Sequence, residues 1–468
     1  MPRLRILLFA MLFAALPLRA IAQEARTVKP ADERFKTDIL VVVAHPDDEA
    51  AVTPYLARAI YDEHKRVAVV YGTRGGSGAN EYRRESGPAL AEVREQEARQ
   101  ACAALGITNV WFLDGKDTAS QDVLNSLANW GHGKNLEEMV RLVRLTRPEV
   151  ILTWLPGIFI GENHGDHQAA GVLATEAFDL AADSTAFPSQ VAGASKRLEP
   201  YLENLAPWQP KKIYYFSDAN DQKQFAGTGP AYSVKEVSPS QEKPYWRLAL
   251  DAAKAHLTQF PGEIQGLSKM SDEQLQKMMD DPQSSWWSDP MTLIFGKSLV
   301  PAGAAGDVFA AIGAEGSANV ERGIVGHAAS AGASIPEVEL AGPWLFYEEF
   351  RRKHGLAALP KPAVPEIGVK AGTLVSVPFL VRHVSAKEVE IRVSAPDGWK
   401  IASGAGKLQL PAEAFTMLRV DIETPVTTAE ELKTSQPAEV TVAAYTNGNS
   451  IGEAKLRVKL QANALPQN

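Results

Sequence analysis

The sequence contains one cysteine, Cys102, among 468 residues. A disulfide needs two cysteines, so none can form within the chain even in an oxidising compartment, and a metal site must use nitrogen and oxygen ligands. Runs of like charge are also absent, and 45% of the residues are hydrophobic. This composition predicts a globular protein of two or three domains that is stabilised by burial. The net charge of −8 argues against nucleic acid or an acidic membrane as a partner.

The first 22 residues have the features of a secretory signal peptide. Arg3 and Arg5 precede the apolar run Ile6 to Leu16, and Ala20-Ile21-Ala22 provides a small-residue cleavage site. A transmembrane helix needs about 20 apolar residues, whereas a proline and an arginine interrupt this run. We therefore expect an exported protein without membrane insertion, in a periplasm or outside the cell. No cysteine follows the run that could carry a lipid.

Residues 38–217 alternate short β-rich runs with helical patterns. This alternation predicts parallel strands joined by helical crossovers, in a Rossmann-like α/β sheet with helices on both faces. The helix between the second and third strands is expected to begin near Pro88 and to end at Gly106. Asn135 followed by Glu138 predicts the N-terminal cap of the next helix. The predicted strands are Ile39–Ala44, Val67–Tyr71, Val110–Leu113, Val150–Trp154 and Ile213–Phe216.

The remainder of the chain predicts an extension and an all-β domain. The extension contains one clear helical pattern, around Trp246 to His256, a Trp-rich patch at Trp286-Trp287 and a Gly/Ala-rich segment. Prolines then space a linker, after which alternating runs and turn signals predict a β-sandwich. The predicted units are a signal peptide (1–22), an α/β domain (23–218), an extension packing on it (219–358), a linker (359–368) and the β-sandwich (369–468).

The first stretch that carries chemistry is Ala44-His45-Pro46-Asp47-Asp48-Glu49, where the first strand ends and a helix begins. Proline at the first helical position and acids in the first turn are favoured by capping and by the helix dipole, so the acids alone could be structural. Capping does not explain His45. Because a strand-to-helix corner can turn His45 and Asp48 toward one ion, the stretch favours a metal site.

A second stretch, His164-Gly165-Asp166-His167, follows the fourth predicted strand. Two histidines beside a glycine could lie on the surface, and H-x-x-H alone is a weak signal. In an open parallel sheet, however, ligands bind outside the carboxyl ends of the strands, and both stretches occupy such ends. We therefore expect the two stretches to form one site.

Other residues could face the same edge of the sheet. Gly72 to Gly78 is a Gly-rich loop that lacks the lysine of a phosphate-binding loop. Asp117 could bind substrate hydroxyls or cap the following segment, and Arg94 could reach the site or form a helix-surface ion pair with Glu97. Arg94 and Asp117 are the candidate substrate-binding residues.

These stretches resemble the LmbE-like, PIG-L family of zinc-dependent N-acetylglucosaminyl deacetylases. The resemblance rests on the AHPDDE stretch, the T-x-G loop, the Arg94-Glu95-Gln96-Glu97-Ala98 helix and the HGDH stretch, and it covers about Asp38 to Ser217. His256 and Gln259 are similar to a histidine and a glutamine found late in long family members, but a lone helical histidine is usually a packing residue. The β-sandwich resembles immunoglobulin-like modules of bacterial glycan-processing enzymes.

The family resemblance implies a role for each site residue. The implied metal ligands are His45, Asp48 and His167. Asp47 is the implied general base, His164 the residue that stabilises the transition state, and Asp166 the residue that orients it. Zn²⁺ is the expected cation and Fe²⁺ is possible with the same ligands. Glu49 and Asp166 could also fix the imidazoles.

The expected reaction is hydrolysis of an N-acyl group, such as acetyl, on an amino-sugar-type small molecule or glycan. Two imidazoles and one carboxylate leave the cation a position for water, Asp47 takes the proton, and His164 as imidazolium stabilises the oxyanion. Two alternatives stay open. The ligand set also matches the facial triad of non-haem iron(II) oxygenases, although these usually resemble β-barrels. The chain could instead be a secreted glycan-binding protein with an inactive metal site, but Asp47 and His164 argue against that. The oligomeric state is not predicted.

Overall fold

The computed structural model describes thirteen stretches of the chain: residues 32–80, 82–157, 164–193, 203–217, 228–282, 284–301, 306–313, 321–322, 335–356, 359, 364–382, 388–409 and 415–462. The predicted signal peptide and most of the Gly/Ala-rich segment lie outside these residues. Within them, no helix has the length and the apolar character that a membrane-spanning segment requires.

The first part of the chain alternates strands and helices, as predicted. Short 3-10 helices at Glu33–Phe35 and Asp48–Val52 accompany the longer elements. In chain order these are β1 Ile39–Val43, α1 Thr53–Tyr61, β2 Val67–Tyr71, α2 Gly87–Ala104, β3 Asn109–Phe112, α3 Val123–Trp130, α4 His132–Thr146, β4 Val150–Trp154, α5 Gly165–Leu180, α6 Pro188–Val191 and β5 Lys212–Phe216.

Two helix boundaries test the sequence signals directly. Helix α2 begins beside Pro88 and ends before Gly106, whose positive φ of 81° suits the turn out of a helix. The predicted start of α4 at Asn135 is wrong. Asn135 is buried inside the helix, and its amide donates to the carbonyl of Trp130, so tertiary burial outweighs the local capping signal. The helix begins instead at His132.

Strands β1 to β5 are parallel and lie in the order β3-β2-β1-β4-β5. This is the strand order of the Rossmann fold, so the predicted α/β parallel sheet is confirmed for these strands. The order reverses between β1 and β4, which are neighbours in the sheet but not in the sequence. The two histidine-containing stretches follow these two strands, so both lie at the switch point where such sheets bind ligands.

The extension completes this sheet and makes it mixed. Strand β8 pairs antiparallel with β5, and β9 pairs antiparallel with β8, giving seven strands within the described residues. The prediction of a wholly parallel sheet is therefore wrong at this edge, because the pairing partner comes from far along the chain. The elements are β6 Ala231–Tyr232, α7 Tyr245–Ala253, α8 Pro261–Leu267, α9 Asp272–Asp280, β7 Met291–Thr292, β8 Ile294–Ser298 and β9 Glu321–Arg322.

The last part of the described chain is mainly β. Its elements are β10 Val338–Leu340, α10 Pro343–Lys353, β11 Glu366–Lys370, β12 Leu374–Arg382, β13 Glu388–Ser394, β14 Lys400–Ser403, β15 Gly406–Gln409, β16 Phe415–Glu423, α11 Ala429–Thr434, β17 Ala438–Thr446 and β18 Asn449–Gln461. They form sheets β10-β12-β16-β14 and β11-β18-β17-β13-β15, and residues of both sheets share one hydrophobic cluster. Two sheets around one core accord with the predicted β-sandwich, whereas its immunoglobulin-like character stays a prediction.

The β region begins earlier than the sequence suggests. Strand β10, which lies in the predicted extension, pairs with β12, and strand β11 begins within the end of the predicted linker, at Glu366. Helix α10 contacts both regions. Trp344 packs against the hydrophobic cluster of the β region. Tyr347 belongs to the core of the α/β region, and its hydroxyl donates to the carbonyl of Pro156 at 3.1 Å. The β region is thus fixed to the α/β region through α10.

Candidate active site

The three predicted metal ligands meet at the carboxyl ends of β1 and β4. Oδ1 of Asp48 lies 3.6 Å from Nδ1 of His45 and 3.2 Å from Nε2 of His167. The other oxygen, Oδ2, accepts backbone N–H groups of Ala44 and His45 at 2.9 Å and the indole N–H of Trp154 at 2.7 Å. These donors fix the carboxylate so that its free oxygen faces both imidazoles.

Trp154, the last residue of β4, also orients His167. The indole and imidazole rings are stacked 4.1 Å apart with an angle of 6° between their planes. His167 lies in the first turn of α5, and its Nδ1 is buried without a hydrogen-bond partner among the described residues. Its other nitrogen, Nε2, faces Oδ1 of Asp48 and is the one placed to bind a ligand of the site.

His164 brings a third imidazole to the same place. Its ring centroid lies 5.0 Å from that of His45 and 4.1 Å from that of His167, and one nitrogen from each ring lies within 4.8 Å of the others. Nδ1 of His164 accepts the backbone N–H of Asp166 at 3.3 Å as it caps α5. In the neutral ring, the proton therefore resides on Nε2.

The electrostatic surroundings of His164 correct one expectation. Burial, followed by the positive charges available on His167 and His45, lowers the pKa of His164 to about 4. A bound cation would lower this pKa further, because like charges disfavour protonation. The predicted imidazolium is therefore not favoured near neutral pH. His164 is a neutral imidazole whose Nε2–H can donate a hydrogen bond.

Two further carboxylates contact His45. Nε2 of His45 lies 3.2 Å from Oδ1 of Asp117 and 3.3 Å from Oδ2 of Asp166, and these three residues form a second possible metal-binding group. Asp166 is fully buried and also accepts the backbone N–H of Thr118 at 2.9 Å. The side chain of Asp166 thus contacts His45, whereas its contact with His164 is through the backbone N–H.

The histidines and carboxylates shift one another's pKa values in opposite directions. Burial alone would lower the pKa of His45, but Asp48, Asp117 and Asp166 outweigh burial and raise it well above its ordinary value. Burial would likewise raise the pKa of Asp48, but His167 and His45 hold it well below its ordinary range. The site therefore carries concentrated negative charge that a cation can neutralise.

Asp47 has an unusual backbone. Its φ of 94° and ψ of −23° place it in the left-handed region, which costs a residue other than glycine on the order of 1–3 kcal/mol and persists only where its surroundings hold it. The backbone N–H donates to Oε2 of Glu49 at 3.1 Å. Burial, followed by the charge of Asp48, raises the pKa of Asp47 well above its ordinary value.

Residues of the extension contact the turn around Asp47. Oε1 of Glu49 lies 2.6 Å from Nε2 of His256, 207 residues away, and both side chains are buried. Next to this pair, the amide of Gln259 donates to the carbonyl of Pro46. Glu49 therefore contacts Asp47 and His256, and the expectation that it fixes a ligand imidazole is not met. The only sequence signal for these contacts is the similarity of His256 and Gln259 to a histidine and a glutamine that occur late in the sequences of long family members.

Arg94 supports the Gly-rich loop. Its buried guanidinium donates to the carbonyls of Gly75 at 2.6 Å and Ala79 at 2.8 Å, and Nε donates to Oγ1 of Thr258 at 3.3 Å. Glu97, expected to pair with Arg94, accepts instead from Thr258. The substrate-binding roles of Arg94 and Asp117 stay predictions, since Asp117 contacts His45 and the backbone of the loop.

Comparison with known proteins finds a family match for the part of the chain that forms this site. The family described as "PIG-L: GlcNAc-PI de-N-acetylase" matches residues 40–178. The chain carries a PIG-L family domain. The resemblance inferred from the sequence is thereby confirmed, and the PIG-L match contains every predicted site residue. His256 and Gln259, which contact the first motif, lie beyond it.

Individual relatives extend the comparison. A 1D-myo-inositol 2-acetamido-2-deoxy-alpha-D-glucopyranoside deacetylase of Thermobifida fusca is 27% identical over 259 residues, 47% of this chain and 82% of that protein. A deacetylase of the same description from Catenulispora acidiphila is 29% identical, over 42% of this chain and 60% of its own length. Among solved structures, N,N'-diacetylchitobiose deacetylase from Pyrococcus horikoshii is 18% identical, covering 55% of this chain and 84% of that one, with a TM-score of 0.36.

Proposed function

We propose that this protein is a metal-dependent deacetylase that hydrolyses the N-acetyl group of an N-acetylglucosamine-type sugar. The observation that carries the proposal is the convergence of His45, Asp48 and His167 at the switch point of a PIG-L family domain. The deacetylases of Thermobifida fusca and Catenulispora acidiphila support the substrate class.

The residues at the site fit a divalent cation, for which we propose zinc. Imidazole nitrogen and carboxylate oxygen are ligands that Zn²⁺ and Fe²⁺ accept. Nδ1 of His45 and Nε2 of His167 both face Oδ1 of Asp48, and Trp154 fixes Asp48 and His167, as outer residues of metal sites commonly do. A cation bound by His45, Asp48 and His167 would polarise the acyl carbonyl and lower the pKa of water toward about 7.

Asp47 is the proposed general base. The pKa of Asp47 is raised toward neutral pH, and a carboxyl group with such a pKa can both accept a proton and return it. Asp47 removes a proton from water as the water oxygen bonds to the acyl carbon. When the carbon–nitrogen bond breaks, the same carboxyl group returns the proton to the departing amine. The products are a carboxylate, such as acetate, and a free amino sugar.

His164 is the proposed stabiliser of the developing oxyanion. In the neutral tautomer fixed by the backbone N–H of Asp166, Nε2–H is available to donate toward the acyl oxygen. A neutral donor still stabilises negative charge in a site sheltered from water. This role needs no charge on His164, which is consistent with the lowered pKa.

A panel of N-acylated sugars and peptides, assayed for free amine with and without a chelator, tests this function. We expect amine release from an N-acetylated sugar, loss of activity on chelation and recovery on addition of Zn²⁺. Oxygen consumption with Fe²⁺ and no amine release would indicate the oxygenase instead. Sugar binding without turnover would indicate a binding protein.

We also propose that the chain is exported after cleavage near Ala22. The support is the arginine-flanked apolar run and the small-residue cleavage site. N-terminal sequencing of protein recovered from a secreting host tests this point. An intact N-terminus on material retained in the cytoplasm would contradict it.

A further inference from the structure

A cavity of about 780 Å³ lies outside the site described above, between the α/β region and the β region. The start of α3 and its exposed face form one wall, the start of α10 forms another, and strands β11 and β18 form a third. Cavities of about 300–1,000 Å³ are those in which proteins bind small molecules. The space is therefore large enough for a ligand.

The walls of this cavity are held by specific contacts. Helix α10 is tied to the α/β region by the hydrogen bond from Tyr347 to Pro156, and by an ion pair of 2.8 Å between Lys353 and Asp179 of α5. Strand β11 is paired in register along β18. The cavity is thus bordered by elements that specific contacts hold in place, and it is partly open to solvent.

The lining combines aromatic rings with hydrogen-bonding groups of both kinds. Trp344 and Phe346 are half-buried and contribute ring surface. Asp122, which also accepts the backbone N–H of Leu124, and Glu366, which lies 3.8 Å from Arg457, bring carboxylates, and the exposed Lys459 brings an ammonium group. Sugars present an apolar face to aromatic rings and hydroxyls that both donate and accept. The lining therefore suits a sugar better than an apolar ligand or a simple ion.

One loop connects this cavity with the metal-binding residues. Asp117 contacts His45, Thr118 donates to Asp166, and the carbonyl of Ser120 accepts the N–H of Gly165 at 2.9 Å. Ser120 itself lines the cavity. Three residues span at most about 10 Å of extended chain, so the cavity begins close to Asp117. The cavity and the metal-binding residues therefore border the same loop.

We propose that the cavity binds a second sugar unit of an oligosaccharide whose N-acetylated unit occupies the His45–His167 site. This inference rests on the proposed function and deepens it, because it assigns the substrate class as an oligosaccharide chain. The cavity selects chains over monosaccharides by stacking a sugar on Trp344 and hydrogen-bonding its hydroxyls to Asp122, Glu366 and Lys459.

The test compares kcat/KM of the full chain for N-acetylglucosamine and its β-1,4-linked tetramer. We expect the tetramer to be preferred by about tenfold or more, which corresponds to about 1.4 kcal/mol of added binding. Trp344→Ala should reduce this preference to near unity. Ala128→Trp fills the cavity from an exposed position on α3 without removing packed atoms, so it should have the same effect even if Trp344→Ala is unstable. Phe415→Ala, an exposed aromatic change elsewhere in the β region, is the matched control.

The outcomes separate this inference from the proposed function. Equal kcat/KM for the two sugars, or a tetramer preference that survives in both cavity variants, would overturn the inference while leaving deacetylation intact. Absence of activity on every acetylated sugar would overturn the proposed function instead. In that case, tetramer binding measured by calorimetry decides the inference: binding that Ala128→Trp abolishes supports the cavity, and binding that it leaves unchanged rejects it.

Discussion

The indole ring of Trp154 lies parallel to the imidazole of His167, with ring centroids 4.1 Å apart, and its N–H donates to Asp48 at 2.7 Å. One side chain at the end of β4 therefore positions two proposed metal ligands. Residues in this role commonly change metal affinity or activity by about 10–100-fold when replaced. The stack also explains why the ligand set can be rigid although its members come from two separate stretches of the chain.

Trp154→Phe should keep an aromatic ring against His167 but lose the hydrogen bond to Asp48. We expect zinc affinity to fall by about 10–100-fold, as measured by competition with a chromogenic chelator. Trp208→Phe removes an indole hydrogen bond to the carbonyl of Pro148, away from the site, and serves as the control. Equal zinc affinity in the wild type and Trp154→Phe would show that Trp154 does not position the ligands.

Asp47→Asn should retain zinc and lose hydrolysis by about 10²–10⁴-fold, because the amide cannot accept the proton from water. Asparagine is chosen because it tolerates the left-handed backbone better than alanine does. Zinc content measured by elemental analysis and turnover measured by amine release together test the prediction. Asp397→Asn, on the exposed surface, controls for the loss of one charge. Full activity in Asp47→Asn would remove Asp47 from the mechanism.

His164→Ala should keep the metal but lower kcat by about 10²–10³-fold, the usual effect of removing one oxyanion donor. His164→Gln should be less impaired, since its amide N–H can replace Nε2–H. The measurements are zinc content and steady-state kinetics on the same samples. Loss of zinc from His164→Ala would instead make His164 a ligand, which the three-imidazole cluster allows.

The buried pair of Glu49 and His256 should hold Asp47 in its strained conformation. We expect His256→Gln to lower kcat more than it raises KM, because Asp47 loses its fixed position while substrate contacts remain. Removing one partner of a buried pair costs about 3–5 kcal/mol, so thermal unfolding should also shift downward. Tyr215→Phe is the control, because it removes a buried hydrogen bond of 2.8 Å with Thr175, between β5 and α5. A fall in stability with unchanged kcat would make the pair purely structural.

Metal removal should destabilise the folded protein as well as inactivate it. A ligand present at 100 times its dissociation constant stabilises the native state by about 2.7 kcal/mol, so the melting temperature should fall after dialysis against a chelator. Added Zn²⁺ should restore both melting temperature and amine release. An active enzyme with no detectable metal would contradict the assigned role of His45, Asp48 and His167.

Local sequence signals located the central fold well. Strands β1 to β5 were predicted to within one residue, because short apolar runs between helical patterns have few other interpretations. Strand β8 and strand β10 were missed. Each is short, and each is defined by a partner far away in the chain rather than by alternation of its own residues. The apparent cap at Asn135 failed for a related reason, since burial decided its environment.

The candidate site was likewise predictable only where local sequence determines it. The positions of His45, Asp48 and His167 follow from the rule that ligands bind at the carboxyl ends of parallel strands. The contact between Glu49 and His256 could not be derived from spacing, because nothing local joins residues 207 apart. The role of Trp154 could not be predicted either, because in the sequence it is simply the last apolar residue of a buried strand.

The contacts of the extension set a minimum length for a fragment that can fold and act on its own. A fragment cut back to Ser217 would remove the antiparallel neighbour of β5 and the His256 partner of the Glu49 carboxylate. An uncovered strand edge recruits strands from other molecules, so such a fragment is expected to aggregate. Expression trials should therefore begin from pieces that retain β8, and insolubility of the shorter piece would say nothing against the chemistry of the motif itself.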